Sequence, residues 1–468
     1  MEFSRKNHPW IIVLCLAFLT LLWLPGLRYP VVSDTAIYAE LGEHLWKYGS
    51  YAAMGAPSAR HPPLYALYSY PFVAVGGIHL GMKLATLFAG FGVLLASYWL
   101  LRRSFGSDIA IISVVILTFH HAFVLMTHLG SADLLFAALF IAALAAYVEA
   151  QKNKKWYLLA GAFAGLACIT RYNGVPLIPL FLLYTFWARR RDFFCFPFLT
   201  GIALSILPLA LWFLRNFLVF GNALHSDFTV ELDRNSAGTV TQLISNVVFY
   251  INPLHNILPI LFVTAIYGIV RNGRRQNFLI FGMLSAWVLT SVWWVQAMRF
   301  AFPGYPILLG FGVAGLLDVW QKFPIKTKAI TRKSIIIISL ALIIFTHLPL
   351  LCFYAYGQCN AWVDRWNIPG IPRNLGLTPE GFYSWSLMRD ELVTIAPQGS
   401  TVFVENEINE RAWETGVFRP DMRVTKDRYS GDCPLYHIAQ RPDPDELVIS
   451  KTDDAPVTYL TIIACAKK

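Results

Sequence analysis

Eight ionisable residues in this chain are of the types and in the places where chemistry could be done: Asp34, Arg60, His61, His128, Asp133, Arg171, Arg215 and Arg299. Each stands at or near the end of a long apolar run. A charged group inside hydrocarbon costs about 2.5–3.5 kcal/mol on insertion scales, so charges kept there tend to be paired or functional. A carboxylate can take a proton from an attacking hydroxyl. Arginine forks grip phosphate oxygens, and a histidine can switch between donor and acceptor. Acids and arginines converging on one cavity would suit an anionic lipid headgroup.

Each of these residues also has a plainer reading. Asp34 opens the run DTAIYAELGEHLWKYG, where Ile37, Leu41 and Leu45 share one helical face with Tyr38 beside them, so it is equally a helix N-cap. As a general base it would gain from desolvation, which raises a carboxyl pKa. Arg60-His61-Pro62-Pro63 is a rigid extended turn suited either to a snorkelling arginine or to phosphate contact. Asp133 reads as a helix-start acid and as a second acid or metal ligand. His128, five residues earlier, reads as a packed side chain or a metal ligand. Arg171, Arg215 and Arg299 are each the lone basic residue at their span ends, where headgroup anchoring is the ordinary role. His120 and His121 read as interfacial belt residues.

The elements that must position these groups are membrane helices. The chain has 468 residues, 56% hydrophobic and only 14% charged, against about 25% charged in a soluble protein. Apolar runs of span length lie at roughly 10–27, 80–101, 109–127, 132–150, 156–170, 174–187, 193–214, 253–270, 278–295, 301–320 and 334–356, about eleven in all. The segment 62–79 is expected to dip into the membrane rather than cross it. The fold class is therefore an all-α polytopic membrane protein. Residues 1–356 form the membrane domain, with a first outer loop at 28–79, and residues 357–468 form a small α/β domain.

Charge sets the orientation. Residues 1–356 carry 26 Lys+Arg against 12 Asp+Glu, whereas residues 357–468 carry 12 against 16. Arg102-Arg103, Lys152/Lys154/Lys155, Arg189-Arg190-Arg191, Arg271/Arg274/Arg275 and the stretch from Lys322 to Lys333 fall on alternate loops, which the positive-inside rule places in the cytoplasm. The first outer loop, the short turns near Gly130, Arg171 and Gln296, the loop 215–252 and the tail then face outward. The cytoplasmic loops are too short to hold a nucleotide-binding domain, and no G-x-x-x-x-G-K-[ST] phosphate loop is present, so chemistry belongs to the outer face. This basic excess is topological and does not imply nucleic-acid binding.

Cys15, Cys168, Cys195 and Cys352 lie in apolar runs as packing residues. Cys359, Cys433 and Cys465 lie in the tail, where an oxidising compartment would allow one disulfide. Strand-like runs in the tail are Thr401–Glu405, Glu446–Ser450 and Thr458–Cys465.

Taken in order and by side, these motifs resemble the GT-C membrane glycosyltransferases, most closely the protein O-mannosyltransferases and aminoarabinose transferases. That family has an early Asp, usually Asp-Glu, in its first outer loop, then an interfacial helix and a His-Pro-Pro or Lys-Pro-Pro turn. Asp34 and His61-Pro62-Pro63 match. Asp133 matches an acid at the fourth span, and Thr170-Arg171-Tyr172-Asn173-Gly174 matches a small-Thr-Arg/Lys-x-x-Gly turn. Arg215-Asn216 with Gly221-Asn222, and Arg299 before an aromatic and proline-rich span, complete the series over about residues 10–320. Thr35 stands where the family often has Glu.

The resemblance implies a polyprenyl-phosphate-linked sugar donor and an acceptor hydroxyl on a glycan, lipid or protein outside the cytoplasm, in a bacterial inner membrane. It implies Asp34 as base, with Arg60, His61, Arg215 and Arg299 on the departing lipid phosphate. It also implies Arg171 on the substrate, and Asp133 orienting the acceptor or holding a divalent cation, for which Asp34, Asp133 and His128 are candidate ligands. A transporter or flippase for a lipid-linked sugar is the rival reading. It should show polar residues through the full bilayer depth, and mid-span positions here are almost all apolar. A non-catalytic assembly subunit is a second rival.

Overall fold

A computed structural model describes residues 8–28, 34–53, 56–226, 240–251, 259–291, 298–322, 388, 391–403, 423–425, 435–439, 446–451 and 459–463. The first helix, α1 (His8–Trp23), ends in a 3-10 turn at Leu24–Arg28, and α2 (Asp34–Tyr48) follows. A short antiparallel hairpin, β1 (Ala52–Ala53) with β2 (Ala56–Pro57), leads into α3 (Leu64–Phe105). Then come α4 (Ser107–Thr118), α5 (His121–Met126), α6 (Asp133–Ala150), α7 (Trp156–Cys168), α8 (Leu177–Ala188), α9 (Arg190–Phe193) and α10 (Phe196–Phe220). Further helices cover Val240–Ile251, Pro259–Asn272, Asn277–Ser291, Met298–Ala301 and Tyr305–Lys322.

Four helical runs among the described residues are long and apolar enough to cross a membrane: Leu64–Phe105, Asp133–Ala150, Phe196–Phe220 and Arg299–Lys322. The helix α6 shows the logic of the slab. Between Asp133 and Ala150 it is almost wholly apolar, and an 18-residue helix rises about 27 Å, close to the hydrocarbon thickness of a bilayer. At its far end Glu149 pairs with Arg103 and accepts from Trp99 Nε1 at 3.1 Å. At the same end of the bundle Asp192 pairs with Lys154 at 2.8 Å, and Asp318 pairs with Lys322 at 2.9 Å. Ionic groups thus bracket an apolar layer. Within it backbones approach closely at small residues: a Cβ on Gly161 would strike the carbonyl of Gly201, so α7 and α10 meet backbone to backbone.

The run Leu64–Phe105 is not one rod. Gly77 adopts φ 69°, ψ 177°, a conformation open to glycine and strained for other residues. The chain doubles back there. Tyr68 donates to the Ala85 carbonyl at 3.0 Å, and the Phe72 and Phe88 rings lie 5.4 Å apart, contacts that a straight helix would forbid. Residues 64–76 and 78–105 therefore form a helical hairpin, which sets the segment before Gly77 apart from the one after it.

Two expectations from sequence need correction. The apolar run 109–127 is not one helix: α4 ends at Thr118, His120 is extended (φ −68°, ψ 120°), and α5 starts at His121. His120 is buried rather than an interfacial belt residue, since this break lies inside the packed bundle. The loop expected at 215–252 is partly helical, because α10 runs on to Phe220 and a helix occupies Val240–Ile251. The run 334–356 and Cys352, Cys359, Cys433 and Cys465 lie outside the described residues.

In the tail, β3 (Thr401–Phe403), β4 (Arg423–Thr425), β5 (Leu435–Ala439), β6 (Glu446–Lys451) and β7 (Tyr459–Ile463) form a mixed sheet in the order β4-β3-β5-β7-β6. Pairing is parallel across β4-β3-β5 and antiparallel across β5-β7-β6.

Candidate active site

Asp34 is the first residue of α2, and its carboxylate is about 30% exposed, with Oδ1 3.9 Å from Nε2 of His61. The helix buries Ile37, Tyr38 and Leu41 against α3. A Cβ on Gly42 would meet the Ala66 carbonyl, so α2 lies hard on the start of α3 and carries Asp34 to the Arg60-His61 turn. Tyr38, one turn on from Asp34, packs its ring at a tilt against that of His61 with centroids 4.6 Å apart and takes Tyr65 edge-on at 4.7 Å. The His61 carbonyl accepts from the Tyr51 hydroxyl at 2.9 Å.

Asp133 is buried. Its Oδ1 accepts from Arg171 at 2.6 Å and its Oδ2 from Ser131 at 2.7 Å, while Arg299 stands 4.0 Å from Oδ2. Both guanidiniums also rest on one ring, with Arg171 5.1 Å and Arg299 5.0 Å from the Phe300 centroid. Asp133 and Phe300 thus hold two cations side by side.

These two groups are one site. Burial opposes ionisation of Asp34, but His61, Arg60, Arg299 and Arg171 together hold its carboxyl below the usual range. Burial, helped by Arg60 and Arg171, pushes His61 down to about 4 against the pull of Asp34 and Asp133. His61 is therefore neutral at pH 7. The expected upward shift of Asp34 from desolvation is reversed, because His61 and the nearby guanidiniums together outweigh it. With His61 neutral, three arginines face two aspartates, leaving one net positive charge for an anion.

Two expected site residues are placed differently. Arg215 does not turn toward an open anion site with its full fork: its Nη1 donates to the Ser58 carbonyl at 2.8 Å and to Asn216 Oδ1 at 3.0 Å, and its Nη2 to the Tyr51 carbonyl at 2.9 Å. His128 is packed away from both aspartates. Its ring lies against Gly26, and burial, with Lys83 nearby, lowers it to about 4 although the Trp23 and Leu22 backbone bonds to it.

The described residues offer no ready-made protein cage for a divalent cation. No three of His, Cys, Asp and Glu gather among the described residues, and both oxygens of Asp133 already accept from Arg171 and Ser131. Thr35, beside Asp34, donates to the Leu129 carbonyl at 2.9 Å.

Tyr38 and Phe300 were not singled out from sequence for the site. The available signals were spacing: Tyr38 lies four residues beyond Asp34, hence on the same helical face, and Phe300 adjoins Arg299.

Residues 60–213 match a family described as dolichyl-phosphate-mannose-protein mannosyltransferase. ArnT from Cupriavidus metallidurans in the apo state superposes with a TM-score of 0.62 at 14% identity, covering 99% of this chain and 100% of ArnT. The same protein bound to undecaprenyl phosphate gives 0.59 at 14% identity over 98% of this chain and 99% of that one. An Archaeoglobus fulgidus oligosaccharyltransferase tethered to an acceptor peptide gives 0.59 at 14% identity, over 90% of this chain but 64% of that protein. No curated protein matches by sequence. The chain is built on the GT-C fold of membrane glycosyltransferases.

Proposed function

We propose that this protein transfers a sugar from a polyprenyl-phosphate donor to an acceptor hydroxyl at the extracytoplasmic face of a bacterial inner membrane. The observation that carries the reading is the gathering of Asp34, Arg60, His61, Asp133, Arg171 and Arg299, drawn from distant parts of the chain, into one cluster of net positive charge. Similarity to ArnT, whose structure holds undecaprenyl phosphate, supports a lipid phosphate as the anion.

In this reading Asp34 takes the proton of the acceptor hydroxyl as its oxygen attacks the anomeric carbon and the lipid phosphate departs. Arg60 and Arg299 stabilise the charge growing on that phosphate, and neutral His61 donates or accepts a hydrogen bond beside it. Arg171, clamped by Asp133, supplies a fixed positive field. Asp133 is mainly the counter-ion that keeps both arginines in place.

Positive-inside counting supports a cytoplasmic N-terminus, about eleven crossings over residues 1–356 and an outward-facing tail domain over 357–468. The test uses purified protein, labelled polyprenyl-phosphate sugar and a panel of glycan, lipid and peptide acceptors. Transfer by the parent chain, abolished in Asp34→Asn with lipid-phosphate binding kept, is the expected result. Equal transfer by both proteins would sink the assignment.

A further inference from the structure

Arg215 is embedded in a way that suits a latch. It lies near the end of α10, and its guanidinium is 5.1 Å from the Trp212 ring centroid, 5.2 Å from Phe220 and 5.7 Å from Tyr51. Its two terminal nitrogens bond the carbonyls of Tyr51 and Ser58, which flank the β1–β2 hairpin. The Ser58 amide also donates to the Tyr51 carbonyl at 3.1 Å, so the hairpin is closed by its own backbone and then pinned by arginine. The Tyr51 side chain points the other way along the chain of contacts: its hydroxyl bonds the His61 carbonyl at 2.9 Å, and its ring meets Trp212 edge-on at 5.2 Å. Trp212 in turn donates to the Tyr172 hydroxyl at 2.8 Å, next to Arg171.

We infer that Arg215 is a positioning residue that pins the 51–58 hairpin and, through Tyr51, sets His61 opposite Asp34. The inference deepens the proposed transferase reading and rests on it for its kinetic arm only. A lone charge on a lipid phosphate would need one accessible donor face. Here a planar fork reads two carbonyls at fixed separation, a task that lysine's single ammonium cannot copy.

The discriminating set is Arg215→Lys, Arg215→Ala, Tyr51→Phe and the Arg215→Ala/Tyr51→Phe pair, reconstituted in nanodiscs. Undecaprenyl phosphate binding, kcat at saturating donor and amide hydrogen exchange over residues 51–61 are measured on each. The latch predicts that Arg215→Lys fails like Arg215→Ala, with kcat down about tenfold or more and lipid-phosphate Kd within about threefold. Tyr51→Phe lowers kcat too, and the pair loses little more than Arg215→Ala alone, because the two act in series. Exchange at 51–61 rises in the Arg215 variants whether or not transfer is seen.

Loss of lipid-phosphate binding in Arg215→Ala that Arg215→Lys restores would overturn the latch in favour of direct phosphate contact. So would unchanged exchange at 51–61. A parent protein that transfers no sugar, yet shows faster exchange in the variants, would overturn the function and leave the latch standing.

Discussion

The Thr35 hydroxyl donates to the Leu129 carbonyl across 2.9 Å, tying the helix that begins at Asp34 to the loop that delivers Asp133. Thr35 is fully buried, and its methyl group lies against Gly130, which has φ 66°. Thr35 is thus a brace between the two halves of the site.

That brace makes the first prediction. Thr35→Val keeps the shape but strands a buried carbonyl, at a cost of about 1–3 kcal/mol. Thr35→Glu aims a carboxylate at the same carbonyl and should be worse. Thermal unfolding in detergent checks both, and melting temperatures matching the parent for the pair would contradict the brace.

Asp133 and Arg171 make the second. Their contact is short and charge-assisted, at 2.6 Å, and Asp133 is about 1% exposed. Arg171→Ala leaves a buried carboxylate with its main partner removed, which in general costs about 3–5 kcal/mol. Arg299 stands farther from the same carboxylate, at 4.0 Å, so Arg299→Gln should cost less stability and lose more lipid-phosphate affinity. Paired melting and binding measurements on the two variants separate the roles; a reversed order would reassign them.

The sequence marked which residues gather better than it marked the contacts they make. Charges at span ends are few, so Asp34, His61, Asp133, Arg171 and Arg299 stood out against an apolar background. The start of α2 at Asp34 was legible from the amphipathic run behind it. The break near Gly77 was also legible, as the separation of a dipping segment, 62–79, from the span 80–101. Two things were not legible. The task of Arg215 depends on carbonyls 157 and 164 residues away in sequence, which no local pattern reports. The sign of the Asp34 shift depends on a balance of burial against surrounding charge that only distances decide.

Two buried histidines give the third prediction. His61 and His128 are each lowered from the ordinary 6.5 to about 4. The unfolded chain therefore takes up these protons first as pH falls, so stability is full above about 6.5 and declines as pH drops toward 4. Detergent-solubilised protein should melt at lower temperature at pH 5 than at pH 7. His128→Gln, outside the site, should flatten that dependence, and an equally steep profile in this variant would remove His128 as a cause.

The fourth prediction concerns Asp34 itself. In the free protein its carboxyl is held low by His61 and by Arg60, Arg299 and Arg171, against burial. A lipid phosphate bound among the arginines would neutralise part of that charge, while burial of Asp34 would persist or deepen. Its pKa must then rise in the complex, which makes it a better base at the moment it is needed. A depressed carboxylate stays ionised down to its own pKa, so raising that pKa moves the acidic limb of activity to higher pH. The acidic limb of kcat, which reports the complex, should accordingly lie at higher pH than that of kcat/KM, which reports the free protein. Arg299→Gln removes one of the depressing charges without donor present, so it should move the kcat/KM limb upward toward the kcat limb. Limbs that coincide in the parent, or a kcat/KM limb that stays put in Arg299→Gln, would mean that Asp34 is not the titrating base.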